Sequence, residues 1–423
     1  MNNICCLVFS ILISGSISAQ CDTTLRPIVF IHGFLASGDT YASQIGRFIK
    51  KGYCENRLFV FDWNSVGGGK NTDSLLDVFI DNILRLTGSQ QVDLIGHSAG
   101  GGLGRGYLIE AAHAAKVRHY IHLGSRKWFT PSPYFPNNNC LNIYSAADMI
   151  AGKGSGDIEG AENLDLRDKD HYEVATSTET FNAIYQFINK GSGYKLPAFS
   201  KKQPVLIAGK AVLLGSNEPM QNATIAIYEI NKKNGIRKKQ RPFKVMQTDS
   251  IGRFGTIRVR KKSLLEFELT AQSEKKRTIS YFFEPFLQSN SQLYLRGFPA
   301  GGIISALLGN LPAKEDQSVI VVYSSSKAMI AGRDSVTING TSITLPSLAP
   351  ASKTVISSFT YDDGDGKTSG NAIKQYGASP FLGGVDISLP VNKKKGHIVY
   401  YNGRKLVLPA ASSKERILLS VFN

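Results

Sequence analysis

Three residues in the first half of this 423-residue sequence have the types, order and settings that nucleophilic acyl transfer requires: Ser98, Asp148 and His171. Gly96-His97-Ser98-Ala99-Gly100 follows the expected strand Val92–Ile95 and opens a helical pattern. That setting predicts a serine on a sharp strand-to-helix turn, flanked by small residues because the backbone there is crowded. A serine hydroxyl is a poor nucleophile without a base, and an imidazole base needs a carboxylate to hold its ring and tautomer. Asp148 lies just beyond the apolar stretch Leu141–Ser145, at the carboxyl end of an expected strand, where such folds gather functional loops. His171 is the histidine in the expected place after it. His32, His97, His113, His119 and His122 precede the acid, and His397 lies far downstream. The rival acids Asp157, Asp165, Asp168 and Asp170 fall in a polar loop and are expected to be solvated, with Asp168 and Asp170 close enough to modulate His171.

Stabilising a tetrahedral oxyanion takes two backbone N–H groups. One is expected from Ala99, after the serine, and the other from Phe34, in the turn Ile31-His32-Gly33-Phe34. Leu35, Trp63, Trp128, Phe129, Tyr134, Phe135, Met149 and Ile150 fall in loops at the same end and are expected to form an apolar substrate-binding mouth. This chemistry requires no cofactor and no metal.

These residues need a scaffold, and the pattern supplies one. Strands read at 28–31, 58–61, 92–95, 118–123 and 141–145, alternating with helical patterns near 40–51, 73–87, 99–115 and 177–189. Alternation of this kind predicts a parallel sheet with helices on both faces, because parallel strands need crossover connections. Val92-Asp93-Leu94-Ile95, apolar but for Asp93, reads as a strand buried on both faces. After Gly191-Ser192-Gly193 and Pro197 the period becomes two, as in Thr224–Tyr228 and Arg253–Val259, with Asn234-Gly235 and Asn402-Gly403 as hairpin turns. The expected organisation is a leader at 1–19, a catalytic domain at 20–193, and antiparallel β structure at 204–287 and 288–423, as two small sandwiches or one larger barrel. The unit 20–193 holds every expected catalytic element, so it should hydrolyse soluble short-chain esters by itself, provided the surface it loses does not cover core.

Charge is spread unevenly. Residues 1–190 hold 16 Lys and Arg against 18 Asp and Glu, a net of −2, whereas 191–423 hold 33 against 15, a net of +18. A basic C-terminal half predicts an anionic surface as partner, a membrane or an acidic polymer. The clusters Lys232–Arg241, Arg258–Lys262, Lys275–Arg277 and Lys393–Lys395 lack interleaved aromatics or a nucleic-acid motif, so nucleic acid is not expected. The opening apolar run fades into Ile17-Ser18-Ala19 and is too short to span a bilayer, which predicts export, to the periplasm or the medium. Gln20 before Cys21 disfavours lipoprotein anchoring. Cleavage leaves Cys21, Cys54 and Cys140, for which a Cys21–Cys54 bridge and three free buried thiols are both open. Tyr361-Asp362-Asp363-Gly364-Asp365-Gly366 hints at calcium but lacks the later ligands of a calcium loop, so a polar turn is expected.

The stretch Arg26–Gly38, the serine turn, Ile143–Ile150 and His171 resemble the small, lidless secreted bacterial lipases, over residues 26–190. One departure is Gly96, where alanine is usual in those lipases. Phe181–Asn189 and Leu264–Phe286 are similar to an archaeal lipase architecture whose β-rich C-terminal region helps to bind lipid. The resemblance implies an α/β-hydrolase fold followed by an all-β region, and a serine ester hydrolase acting on acylglycerols at an interface. The helical lid of the archaeal enzymes has no counterpart in Val66–Asn71, which alone joins strand to helix. Two alternatives remain open: a polyester or polyhydroxyalkanoate depolymerase, and a catalytically inert lipid- or surface-binding protein.

Overall fold

A computed structural model describes residues 21–67, 71–130, 132–190, 204–271, 277–299, 301, 304–305, 308, 311–392 and 394–422. The expected leader and the linker around 191–203 lie outside the described residues, as do residues 68–70 of the strand-to-helix connection. Strands β1 (Ile28–Ile31), β2 (Leu58–Phe61), β3 (Val92–His97), β4 (Val117–Leu123), β5 (Cys140–Tyr144) and β6 (Glu162–Asp165) form one sheet in the order β2-β1-β3-β4-β5-β6. Every pairing is parallel. Helices α1 (Ala42–Lys50), α2 (Thr72–Thr87), α3 (Ala99–Tyr107) and α4 (Ala111–Ala114) lie in crossovers between its strands, and α5 (Glu173–Thr176) and α6 (Thr178–Ile188) follow β6. Because side chains alternate along a strand, Phe30, Ile95 and Ile121 enter one core with α1 and α6, while Val29, Leu94 and Tyr120 enter another with α2 and α3. A bridge joins Cys21 to Cys54 beside β2, and Cys140 remains a free, buried thiol.

The β region is built from β7 (Val205–Leu213), β8 (Thr224–Glu229), β9 (Lys244–Gln247), β10 (Arg253–Val259), β11 (Leu265–Thr270), β12 (Thr278–Phe283), β13 (Asn290–Gly297), β14 (Ile320–Tyr323), β15 (Val336–Ile338), β16 (Thr341–Ser342), β17 (Ser357–Tyr361), β18 (Leu382–Asp386), β19 (Gly396–Tyr401), β20 (Arg404–Pro409) and β21 (Arg416–Val421). Three sheets stack around a shared centre. The central sheet has eight strands, in the order β18-β17-β14-β21-β12-β11-β8-β9. On one face Ile279, Tyr281, Val321 and Leu419 meet the sheet β10-β7-β13; on the other Phe282, Ile320, Val322 and Leu418 meet the sheet β16-β15-β19-β20. The expected boundary at 287/288 therefore runs through one sheet and separates no cores. The pairing is also not all antiparallel, since β21 lies parallel to both β12 and β14, β17 parallel to β18, and β7 parallel to β13.

The two regions share a core and a set of buried polar contacts. Leu35, Ala36 and Tyr172 pack among the β-region residues. Arg296 donates to Asp39 at 2.5 Å, with both groups under a tenth exposed. Lys210 and Tyr294 donate to Asp62 at 2.5 and 2.7 Å. A Cβ on Gly38 would lie 2.4 Å from the Tyr294 hydroxyl, so glycine there permits the close approach. The catalytic-domain surface at these residues thus covers core, and the condition set for an autonomous catalytic unit is not met. Removing one partner of a buried ion pair leaves the other charge stranded, at a cost of about 3–5 kcal/mol. Asp39→Ala should lower the free energy of urea unfolding by about that amount at neutral pH; a loss below about 1 kcal/mol, the range of exposed pairs, would mean the contact is solvated.

Candidate active site

The sharp turn expected at Ser98 is present. Ser98 has φ 55° and ψ −122°, a conformation that costs an L-residue energy and holds its side chain out at the top of β3. Its N–H donates to the Leu123 carbonyl at 2.9 Å, which ties the turn to β4. The flanking glycines are required by contact: a Cβ on Gly100 would sit 2.4 Å from the Ile31 oxygen, and one on Gly96 2.4 Å from the Gly100 oxygen. Alanine at 96, usual in the lipases this region resembles, does not fit this backbone without movement.

His171 Nε2 lies 2.8 Å from Ser98 Oγ, and His171 Nδ1 lies 2.7 Å from Asp148 Oδ2. Asp148 Oδ1 accepts from the Ile150 and Ala151 amides at 2.9 and 3.0 Å, so the carboxylate is fixed at both oxygens. Burial alone would raise the Asp148 pKa, but the hydrogen bond and charge of His171 with these amides hold it below the ordinary carboxylate value. An anion beside Nδ1–H leaves Nε2 free to take the serine proton. His97 adds a contact that sequence reading did not assign: its Nε2–H donates to the His171 carbonyl at 2.7 Å, fixing the backbone of the base.

Of the rival acids, Asp157 accepts from Tyr144, Asp165 caps the Ala146 and Arg167 amides, and Asp168 is exposed near Lys169. Asp170 is not solvated. It is buried, accepts from the Tyr172 and Glu173 amides, and takes Ala328 N–H at 3.1 Å and Arg333 Nη2 at 2.8 Å from the β region. The residue preceding the base is therefore clamped from the other half of the chain.

Phe34 and Ala99 lie on either side of the serine. A Cβ on Gly33 would be 3.0 Å from Ser98 Cβ, which places the Gly33–Phe34 peptide against the nucleophile. Among the described residues neither the Phe34 nor the Ala99 N–H has a hydrogen-bond partner, as two donors awaiting an oxyanion require. The expected mouth is only partly assembled. Phe34, Phe129, Tyr134 and Met149 are exposed, and Ile150 is partly buried beside the acid. Leu35 is buried at the contact with the β region. Trp63, Trp128 and Phe135 serve packing instead. Trp63 stacks on His32 and donates to its carbonyl at 3.0 Å, Trp128 packs on Tyr120 and His122, and Phe135 lies in the core under α2 and α3. Loop position alone did not distinguish aromatics facing solvent from aromatics capping a core. Phe381, unassigned from sequence, reaches the site from the β region, with ring centroids 6.1 Å from Phe34 and 6.3 Å from His171.

Residues 26–147 match the family model of the alpha/beta hydrolase fold, and residues 203–297 match that of the lipase C-terminal domain. Residues 309–407 match a further model described as a C-terminal domain. Solved structures similar to this chain include a Bacillus licheniformis lipase in mature form, 18% identical, TM-score 0.33, covering 40% of this chain and 94% of that one. A Paleococcus ferrophilus monoacylglycerol lipase is 16% identical, TM-score 0.30, covering 38% and 95%. An esterase from Rhodococcus sp. is 14% identical, TM-score 0.32, covering 40% and 93%. The N-terminal region has the α/β-hydrolase fold, and the mostly β region that follows it matches the lipase C-terminal model over residues 203–297. The pairing is that of a lipase- or esterase-type hydrolase.

The histidines around this scaffold set an acid limit. Burial pushes His97 down to about 3, helped by the neighbouring His171, and burial likewise pushes His122 and His397 down to about 4. The unfolded chain binds these protons near the ordinary value of about 6.5. Between that pH and about 4 the unfolded state therefore holds more protons, and stability falls as pH falls. The urea midpoint should drop steadily from pH 7 to pH 4.5; a midpoint flat across that window would show that these histidines protonate within the fold.

Proposed function

We propose that this chain is a secreted serine carboxylic ester hydrolase that cleaves lipid esters, acylglycerols foremost. The observation that carries the reading is the unbroken chain Ser98 Oγ–His171 Nε2 and His171 Nδ1–Asp148, facing two amides with no internal partner among the described residues. In the mechanism Ser98 Oγ attacks the ester carbonyl while His171 Nε2 takes its proton, and the Phe34 and Ala99 amides hold the oxyanion. The tetrahedral adduct collapses, His171 returns the proton to the departing alcohol, and the acyl group stays on Ser98. Water then attacks the acyl carbonyl and gives a proton to the same imidazole; the second adduct collapses, His171 returns that proton to Ser98 Oγ, and the carboxylic acid leaves. Asp148 stays ionised and stabilises the imidazolium.

The apolar rim supports a greasy acyl group: Phe34 and Met149 are more than a third exposed, and Phe381 backs Phe34 from the β region. The Cys21–Cys54 bridge suits an oxidising compartment and so supports export. Ser98→Ala should abolish both turnover and labelling by a serine-directed phosphonate while leaving the circular dichroism spectrum unchanged. Asp148→Asn should lower kcat at least about 100-fold; the equivalent change costs a serine protease about 10⁴. Phosphonate found on another serine, or near-normal kcat in Asp148→Asn, would contradict the assignment.

The basic β region is read as a lipid-docking surface. Lys232, Lys233, Lys239, Arg241 and Lys244 are exposed near the edge strand β9, together with exposed Phe243 and Val245. Each cation near an anionic membrane is worth about 1 kcal/mol, falling with salt. Vesicles containing phosphatidylserine should bind the protein at low salt and lose most of it at about 0.5 M salt, where screening is short-ranged. Binding that ignores salt would favour apolar docking on a polymer instead.

A further inference from the structure

The Phe34 N–H, one of the two oxyanion donors, belongs to the same peptide group as the Gly33 carbonyl. That carbonyl is gripped from behind: His32 Nδ1 lies 2.8 Å from it, and since a carbonyl only accepts, Nδ1 carries the proton. The Ala36 amide reaches the same oxygen at 3.3 Å. A peptide is planar, so holding its oxygen fixes the direction of its N–H. A donor on the oxygen also polarises the group and strengthens that N–H as a donor, by roughly 10–30% per bond.

The grip requires one tautomer of His32, and its other nitrogen is set accordingly. Nε2 faces two donors, the Trp63 amide at 3.2 Å and Asn217 Nδ2 at 3.2 Å, so it accepts and carries no proton. His32 is fully buried, and burial lowers its affinity for a second proton, with Asp62 opposing. Asn217 is supplied by the lipase C-terminal domain, in the turn after β7, and is itself buried. The two amide protons of Asn217 are shared among three acceptors, His32 Nε2 and the Ala36 and Trp63 carbonyls at 2.9 and 3.0 Å, and its oxygen accepts from Ser37 at 2.5 Å. One β-region side chain thus touches the histidine, the end of the Gly33–Ser37 loop and the strand beside it.

Resting on the hydrolase reading above, we propose that Asn217 is a positioning residue of the oxyanion hole, acting through the tautomer of His32 to orient the Gly33–Phe34 peptide. The role is orientation of a transition-state donor and not substrate binding, which dictates the signature. Asn217 has φ 57°, so glycine is the substitution that removes the amide without straining the backbone.

The test uses the full-length protein and a soluble p-nitrophenyl ester, with active sites counted by phosphonate titration. Asn217→Gly should lower kcat about tenfold, less than the about 10²–10³ of losing an oxyanion donor outright, with KM within about twofold. Affinity for a boronic acid, which forms a tetrahedral adduct with the serine, should fall by the same factor as kcat. In a His32→Asn background, Asn217→Gly should cause little further loss, because the two act in series. The ¹⁵N spectrum of the wild-type histidines should show His32 protonated at Nδ1. Unchanged kcat per active site, fully multiplicative losses in the double variant, or a His32 protonated at Nε2 would each overturn the proposal. A wild-type protein that neither turns over esters nor takes up phosphonate would defeat the hydrolase reading itself.

Discussion

Carboxylates of the hydrolase domain are buried against cations of the β region, and the shape of the site around Ser98 follows from that burial. Asp39 meets Arg296, Asp62 meets Lys210, and Asp170 meets Arg333. Each carboxylate belongs to a segment that shapes the site: Asp39 follows the oxyanion loop, Asp62 follows β2 beside His32, and Asp170 precedes the base. Buried ion pairs add little net stability over apolar packing, but once formed they penalise any arrangement that separates the partners. Their effect here is to make the geometry around Ser98 conditional on the β region being in place.

That dependence changes what the second half of the chain is for. One part of the β region, with the exposed lysines near β9, is open to solvent. The buried face has a different task. It contributes Phe381 to the wall beside Phe34 and His171, and Asn217 and Arg333 to the loops that carry those two residues.

Much of the hydrolase domain was legible in the sequence because its inner strands are buried on both faces and read as short apolar runs, Ile28–Ile31 above all. β6 escaped because Glu-Asn-Leu-Asp is an edge strand with little burial to write an apolar pattern. In the β region the strands were visible from their alternation, but their partners were not. Local periodicity carries no record that Thr278–Phe283 lies parallel to Arg416–Val421. The same limit explains the site. Ser98, Asp148 and His171 follow one another in a fixed order along a recognisable scaffold, whereas the burial of Asp170 depends on Ala328 and Arg333, about 160 residues away. Trp128 and Phe135 sit in loops like Phe129, and only packing separates the aromatics that cap a core from the one that faces water.

Whether the β region completes the active site is decided by comparing kcat on a soluble short-chain ester for the full-length protein and for residues 21–190 alone, each normalised by phosphonate titration. The shorter chain should be unfolded or titrate few sites, because Asp39, Asp62, Asp170 and the apolar patch at Leu35 and Tyr172 lose their partners. A folded 21–190 fragment with full-length kcat would contradict this dependence.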